Sequence, residues 1–201
     1  RSRGFAMPSL FMNAGNMGIP LSHFAFGEPG LQRASLFFVI MSAFHYSLGV
    51  YILSGRGGWK EIFRLPLIYA TLLGLSFNLG EIKVPAPIFQ GLSLLGYSTI
   101  PLMLLSLGYR LHEIRSLRWG HALGGALIRI VGGLAAAYAT VSLLGIEGIN
   151  RQMILLYGGL PSAVVNFVLT EKYSQDPELA ASIIFLTTLF SLASVPLLFW
   201  F

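Results

Sequence analysis

The sequence of 201 residues contains no cysteine and few charged residues, and both absences exclude classes of protein. Without cysteine the chain has no disulfide, no thiolate nucleophile and no cysteine-ligated metal. Asp, Glu, Lys and Arg together make up 10% of the residues, whereas a soluble domain carries about 25%. Hydrophobic residues reach 55%, and the mean hydropathy is +0.72. Such a chain cannot cover a water-facing surface, so the composition indicates an integral membrane protein.

The few charges divide the sequence into seven long stretches that contain no Asp or Glu. They are residues 4–27, 34–55, 65–80, 84–109, 119–146, 152–170 and 179–201, and only 119–146 contains a charge, Arg129. A bilayer core about 30 Å thick accommodates roughly 20 helical residues. The stretches lack the alternation of apolar and polar residues that marks transmembrane β-strands. The sequence therefore predicts an all-α integral membrane protein with seven transmembrane helices.

The basic residues are distributed unequally between the two faces that seven crossings would create. One face holds nine of them: Arg1, Arg3, Arg56, Lys60, Arg64, Arg110, Arg115, Arg118 and Lys172. The other face holds three: Arg33, Lys83 and Arg151. Cytoplasmic loops are enriched in Lys and Arg, so we expect a plasma (inner) membrane protein whose C-terminus is extracytoplasmic. Because most of the basic residues lie on one face, the net charge of +5 indicates the lipid bilayer rather than a nucleic acid as the partner.

A weak internal repeat relates the two ends of the chain. The segment "FGEPGLQRASLFF" (26–38) resembles "SQDPELAASIIFL" (174–186), and Pro29 and Pro177 are 148 positions apart. Each segment places an acid before the proline and follows a stretch interrupted by proline and asparagine. Counting back from the second copy, five stretches form one repeat. Five crossings are an odd number, so two such repeats have opposite orientations, as in many secondary transporters.

This repeat predicts the organisation of the chain. The predicted parts are residues 1–55 as the last two helices of a first repeat (crossover helix 4–27, helix 34–55), a basic cytoplasmic linker at 56–64, and a complete second repeat at 65–201 with its crossover helix at 152–170. A complete protein would have ten helices and roughly 300 residues in two inverted repeats of five. We therefore expect the chain to be N-terminally truncated, without the first three helices.

The first crossover stretch reads "FMNAGNMGIPLSHFAFG" and contains polar and helix-breaking residues in mid-membrane. Proline removes a backbone donor, and glycine lets the chain open locally. A broken helix is tolerated only inside the protein or beside a water-filled cavity. Asn13 and Asn16 lie three positions apart on one helix face. They indicate a substrate site, or alternatively a kinked helix whose asparagines bond neighbouring helices.

The second crossover stretch, "LLYGGLPSAVVNFVLTEKY", contains Pro161 and Asn166 at a corresponding place. Two interrupted helices in corresponding positions of two repeats are the best sequence indication of a transporter's binding site. This pairing favours the interpretation as a substrate site.

These motifs resemble the auxin efflux carrier family. The resemblance rests on Asn13-x-Gly15-Asn16-x-Gly18-x-Pro20 with the following "FGEPGL", on "IPLMLLSLGYRL" (100–111), and on "LPSAVVNFVLTEKY" through "FSLASVPLL". It implies a transporter of ten helices in two inverted repeats, in which two broken helices cross at the substrate site and transport is elevator-like. It also implies malonate-type carboxylates or auxin as the substrate class.

The resemblance supplies the expected substrate-binding residues. They are Asn13, Asn16, Gly18 and Pro20 in the first crossover, Pro161 and Asn166 in the second, and Asn78 near the end of the third span. Phe11, Met12 and Met17 would form apolar walls. The chain lacks the family's first three helices, so we do not expect it to transport unaided.

Other intramembrane polar residues receive structural interpretations. We expect the long side chain of Arg129 to snorkel back to the basic face, and His23 and His45 to bond neighbouring helices. Gly124, Gly125, Gly132 and Gly133 recur at eight-residue spacing and predict a close-packing helix face.

The predicted function is secondary-active or facilitative transport of small organic carboxylate anions. Because the stretches contain no Asp or Glu, we expect coupling without a membrane carboxylate in these helices. The alternative is a sodium-coupled organic anion symporter of the bile-acid-transporter type. A channel and a purely structural subunit also remain open, as do a rocking mechanism and a homodimer.

An enzyme is not expected, since the sequence has no intramembrane aspartate pair, no Gly-x-Ser-Gly and no His-x-x-x-His. We therefore predict no cofactor and no metal.

Overall fold

The computed structural model describes residues 2–55, 63, 66–112 and 118–198, and its described residues form helices and connecting turns. The helices are α1 (Ser2–Leu10), α2 (Ile19–Phe44), α3 (Val50–Ser54), α4 (Pro66–Leu79), α5 (Ala86–His112), α6 (Trp119–Leu127), α7 (Gly133–Leu143), α8 (Gly148–Gly159), α9 (Val165–Lys172) and α10 (Pro177–Leu198). Three π-helical segments join some of them: Ala14–Gly18, His45–Gly49 and Ile128–Gly132. The predicted linker at 56–64 lies outside the described residues, apart from Phe63.

Three helical runs among the described residues are long and apolar enough to cross a membrane. They are Ala14–Ser54, Trp119–Leu143 and Pro177–Leu198. The predicted all-helical membrane architecture is therefore confirmed, whereas the count of seven helices stays a prediction. The second crossover stretch is not among the three runs because it is divided into α8 and α9, with 12 and 8 residues. Of the first crossover stretch, α1 with its 9 residues lies outside the run Ala14–Ser54.

The longest run, Ala14–Ser54, is a helical hairpin and not one span. Its 41 residues would extend about 60 Å as a straight helix, twice the bilayer core. Gly27 interrupts it with φ 61° and ψ −149°, a backbone conformation that residues with a side chain rarely adopt. The chain turns back there, so that a Cβ on Gly15 would lie 2.8 Å from the Phe38 ring.

Buried apolar residues form three clusters around the two broken helices. The first joins the hairpin to α8 and contains Ala14, Ile19, Ala34, Met153, Leu156, Tyr157, Leu160 and Val195. The second joins α6 to α10 through Ala122, Ala126, Leu179, Ile183 and Leu186. The third lies beside α1 and contains Met7, Phe11, Leu53 and Leu169. Together they hold α1–α3, α6 and α8–α10 in one packed body, and α7 packs on α8 where Gly133 and Ala137 meet Gly158.

Helices α4 and α5 lie at the edge of this body. Large apolar residues along both are exposed, including Leu79 and Leu94, each at 74%. Lipid tails are as apolar as these side chains, so such a surface is compatible with a membrane. The fold therefore has a packed body and two peripheral helices.

Only two of the four glycines in the predicted close-packing face lie against a neighbouring helix. A Cβ on Gly125 would lie 2.6 Å from Ile183, and a Cβ on Gly133 would overlap the Gly158 carbonyl oxygen. Gly124 and Gly132 have open space beside them. The close-packing face is therefore narrower than the eight-residue pattern predicts.

Candidate binding site at the crossing of two broken helices

The two interrupted stretches meet at their breaks. Met12 and Ser162 form an isolated antiparallel bridge. The Asn13 amide donates to the Pro161 carbonyl (2.8 Å), and the Ala163 amide donates to the Phe11 carbonyl (3.0 Å). Each break thus satisfies backbone groups that the other exposes, which a lipid environment could not do.

The two hydrogen bonds of this bridge join residues that are equivalent by position in the two breaks. The separation from Phe11 to Pro161 and from Asn13 to Ala163 is 150 residues in both cases, and the two hydrogen bonds exchange under that shift. The acid–proline segments of the sequence repeat differ by 148 positions. The crossing and the sequence repeat therefore relate nearly the same pairs of residues.

The first break lies a few residues before the position that glycine and proline suggest. Helix α1 ends at Leu10, and the chain is non-helical at Asn13, where φ is −81° and ψ is 66°. Pro20 lies near the start of α2, directly after the π-helical segment Ala14–Gly18, and so inside the helical run and not at the break. The second break follows Gly159 and contains Pro161 itself, as predicted.

Arg129 closes the C-terminal ends of both broken helices. Its Nη1 donates to the Leu10 carbonyl (3.2 Å), its Nε to the Leu160 carbonyl (3.2 Å) and its Nη2 to the Gly158 carbonyl (2.8 Å). The side chain is 5% exposed. The expectation that Arg129 snorkels to the basic face is therefore wrong, because carbonyls at the crossing engage its guanidinium.

Asn166 is buried beside the crossing, and both ends of its side-chain amide form hydrogen bonds. Its Nδ2 donates to the Phe11 carbonyl (3.0 Å) and to Ser162 Oγ (2.9 Å). Its Oδ1 lies 2.7 Å from His45 Nε2, so this nitrogen of the histidine carries the proton. The His45 ring also stacks on Phe11 with centroids 4.5 Å apart. The prediction that His45 bonds a neighbouring helix is confirmed.

A cavity of about 160 Å³ lies beside the crossing. Its walls are Met12, Asn13, Ala14, Gly15, Asn16, Phe38, Met41, Ser42, His45, Tyr46, Ala163, Val164 and Val165. Eight of these residues belong to the two breaks or to the starts of the helical segments that follow them. None of the lining residues is Asp, Glu, Lys or Arg.

Asn13 carries an unused donor in the wall of this cavity. Its Oδ1 accepts from the Asn16 amide (3.1 Å), which caps the helical segment and fixes which way the side-chain amide points. Its Nδ2 is buried and has no hydrogen-bond partner among the described residues. A buried unpaired donor costs about 1–3 kcal/mol.

The two ends of the crossing differ in charge. A helix carries roughly +0.5 elementary charge at its N-terminus and −0.5 at its C-terminus. Arg129 neutralises the C-terminal ends of α1 and α8. The N-terminal ends at the cavity meet no acidic lining residue. The cavity is therefore favourable for an anion.

The structure brings only some of the predicted site residues together. Asn13 and Asn16 line the cavity, whereas Asn166 does not. Pro161 contributes its carbonyl to the bridge. Gly18 and Pro20 are buried, and a Cβ on Gly18 would lie 2.9 Å from the Tyr157 hydroxyl.

Asn78 lies apart from the crossing. It is exposed near the end of α4 and is absent from the cavity wall. Of the predicted apolar walls, Met12 lines the cavity, while Phe11 and Met17 pack in the buried clusters.

The second helix of the hairpin forms a wall of the site that the sequence did not predict. Phe38, Met41 and Ser42 line the cavity because the turn at Gly27 folds their helix back onto the first break. No motif marks them. Arg129 did carry a signal, since an intramembrane arginine is a functional candidate.

Comparison with known proteins identifies the family. The family model described as "Membrane transport protein" matches residues 56–199. An uncharacterised transporter of Methanocaldococcus jannaschii is 32% identical over 98% of this chain and 67% of its own length. A Rhizobium meliloti protein named for malonate transport is 27% identical over 96% of this chain and 64% of its own.

Plant proteins are related over a shorter region. Auxin efflux carrier component 1 of Arabidopsis thaliana is 27% identical over 63% of this chain and 22% of its own length. The chain spans about two thirds of the length of the archaeal and bacterial relatives. The family match, these relatives and the apolar helices agree with one another. The chain therefore belongs to the membrane transport protein family that contains the auxin efflux carriers, and it is a transporter and not an enzyme.

Proposed function

We propose that the protein carries small organic carboxylate anions across the membrane and binds them in the cavity at the helix crossing. The observation that carries the proposal is Asn13, a residue of the cavity wall whose buried Nδ2 has no hydrogen-bond partner among the described residues. A carboxylate oxygen would complete that hydrogen bond. Relatives named for malonate and auxin transport support an organic acid as substrate.

The walls of the cavity suit a carboxylate with a small apolar body. Asn13 and Asn16 supply amide donors without a fixed charge, so an anion gains hydrogen bonds without a permanent ion pair. The helical N-terminal ends add a partial positive charge. Met12, Phe38 and Met41 provide the apolar surface around the rest of the ligand.

Alternating access is proposed to move the packed body against the peripheral helices. Helices α1–α3, α6 and α8–α10 share the buried clusters and contain both broken helices, and α7 packs on α8. Helices α4 and α5 pack less extensively and would belong to the scaffold of an elevator. The similar offsets of the crossing (150 positions) and of the sequence repeat (148 positions) support the ten-helix inverted-repeat architecture, with residues 1–55 and 65–201 as parts of its two repeats.

The absence of acidic residues from the cavity wall bears on coupling. Proton and sodium coupling commonly use buried carboxylates. We propose that the substrate site itself binds no coupling ion, so that binding is independent of sodium. Sodium-dependent binding would instead favour a symporter of the bile-acid type.

The test is binding of a labelled panel of malonate, malate, lactate and indole-3-acetate to the purified full-length protein. Asn16→Ala should abolish saturable binding of the accepted ligand without changing the melting temperature, because its side chain is partly exposed beside the cavity. Asn78→Ala is the matched control, since Asn78 is absent from the cavity wall, and it should bind normally.

Two results would contradict the proposal. Failure of the folded wild-type protein to bind any member of the panel would remove the carboxylate assignment. Loss of binding in Asn78→Ala with retention in Asn16→Ala would move the site away from the crossing.

A further inference from the structure

Arg129 occupies an unusual position for a cation in a membrane helix. It lies in the π-helical segment Ile128–Gly132, which joins α6 to α7 within one apolar span. Short π-helical segments are found frequently at functional sites. The guanidinium is 5% exposed and faces no carboxylate among its hydrogen-bond partners, which are all backbone carbonyls.

Two of these carbonyls are equivalent across the crossing. Leu10 and Leu160 are 150 positions apart, the same separation as the paired residues of the bridge. Arg129 therefore binds the corresponding end of each broken helix with a different nitrogen. The planar fork of arginine can do this, whereas a lysine ammonium is a single compact centre on a flexible stem.

The neighbouring backbone leaves room for this arrangement at Gly133. A Cβ there would overlap both Arg129 Nη2 and the Gly158 carbonyl oxygen. A Cβ on Gly158 would in turn lie 2.8 Å from the Gly133 carbonyl oxygen. Glycine at both positions lets α7 approach α8 closely enough for Nη2 to reach the Gly158 carbonyl.

We propose that Arg129 is a positioning residue that joins the two broken helices into one rigid unit and thereby holds their N-terminal ends together at the cavity. It acts on the substrate only through the helices, since it does not line the cavity. It also neutralises the partial negative charge at the C-terminal ends of α1 and α8. The partial positive charge of the helical N-terminal ends at the cavity then acts on the anion without opposition. The proposal rests on the proposed function only for its binding readout.

The first experiment needs no ligand. Nitroxide labels are introduced by Arg3→Cys and Gln152→Cys in α1 and α8, at exposed positions of a sequence that has no cysteine of its own. Any cysteine elsewhere in the full-length protein is replaced. Pulsed electron spin resonance should give one narrow distance distribution in the parent protein. Arg129→Lys should broaden it, because lysine keeps the charge but cannot hold both helices at once.

The second readout is carboxylate affinity in the same variants. We expect Arg129→Lys to weaken binding roughly tenfold through misplacement of the cavity walls. Ile183→Val, which trims the cluster between α6 and α10 away from the crossing, is the control for general loss of stability. At a matched fall in melting temperature, it should leave both the distance distribution and the affinity unchanged.

The outcomes separate the two proposals. An unchanged, narrow distribution in a folded Arg129→Lys protein would overturn the role of the arginine fork, even if carboxylates bind. Broadening in Ile183→Val to the same extent would also overturn it, by showing a general loosening. Failure of the parent to bind carboxylates contradicts the proposed function alone, because the distance measurement is made without ligand.

Discussion

The two broken helices have similar interruptions and different chemical surroundings. Asn16 and Asn166 are 150 positions apart, as are the residues paired at the crossing. Asn16 is partly exposed in the cavity wall. Asn166 is fully buried, with Phe11, Ser162 and His45 as its partners. One asparagine is available to a ligand, while the other stabilises the crossing.

The difference follows from the residues at the bridge. Ser162, four positions before Asn166, accepts a hydrogen bond from its Nδ2. The corresponding position before Asn16 is Met12, whose thioether is a weak acceptor. Two breaks with equivalent backbone pairing can therefore form a one-sided site, because their side chains differ.

The largest expected effect is on stability, from Asn166→Leu. The substitution leaves His45 Nε2 and the Ser162 hydroxyl without this partner in a buried place, while the Phe11 carbonyl keeps the Ala163 amide as its donor. At about 1–3 kcal/mol for each of the two unsatisfied groups, we expect a loss of about 2–6 kcal/mol in the free energy of unfolding. Denaturant unfolding of the purified protein measures it. Asn16→Leu is the matched control and should cost much less, and equal losses would remove the contrast between the two asparagines.

The next effect is on affinity, from Asn13→Asp. The carboxylate keeps the cap on the Asn16 amide but replaces the unused donor with a negative charge. Like charges in such a site cost several kcal/mol, so we expect anion affinity to fall about 100-fold or more. Titration with the accepted carboxylate measures this, and the melting temperature should change little. Asn13→Ser keeps a cap without the charge and should lose less affinity, so an equal loss in both variants would contradict the electrostatic reason.

A smaller effect is expected from Met12→Ser, which gives the first break the hydroxyl that the second one has. The side-chain Nδ2 of Asn16 would then have a hydroxyl acceptor four positions away, as the Nδ2 of Asn166 has in Ser162. One hydrogen bond is worth about 0.5–1.5 kcal/mol, so carboxylate affinity should fall about two- to tenfold with little change in stability. Ligand titration of Met12→Ser and of Met12→Leu separates the effect of the added hydroxyl from the effect of losing the thioether. Equal affinity in both variants would show that Met12 does not keep Asn16 available.

The smallest effect concerns the two acid–proline turns. Glu28 accepts from the Tyr97 hydroxyl (2.7 Å), and Asp176 binds Arg118 through both carboxylate oxygens (2.8 Å). Both interactions are exposed, so Tyr97→Phe and Arg118→Gln should each change the free energy of unfolding by less than about 1 kcal/mol. Denaturant unfolding again measures them. A much larger loss in Tyr97→Phe alone would show that the contact to α5 is more than a surface hydrogen bond.

Much of the fold and part of the site could be predicted from local sequence. The scarcity of charge indicates helices in a membrane, and Pro161 marks the second break. Asn13 and Asn16 were predicted as site residues and line the cavity. The first break was harder to place, because the chain opens at Phe11–Asn13, where no proline or glycine forces it and the segment 161–163 supplies the hydrogen bonds.

Hydropathy, charge spacing and helix-breaking residues are local properties, so the sequence alone was sufficient for the membrane class, the two interruptions and the family. The packing of distant segments decided the rest. Arg129 is joined to Leu10 across 119 positions, and His45 to Asn166 across 121. In a low-dielectric interior a polar group is costly until it meets a partner, and only the tertiary structure brings those partners together.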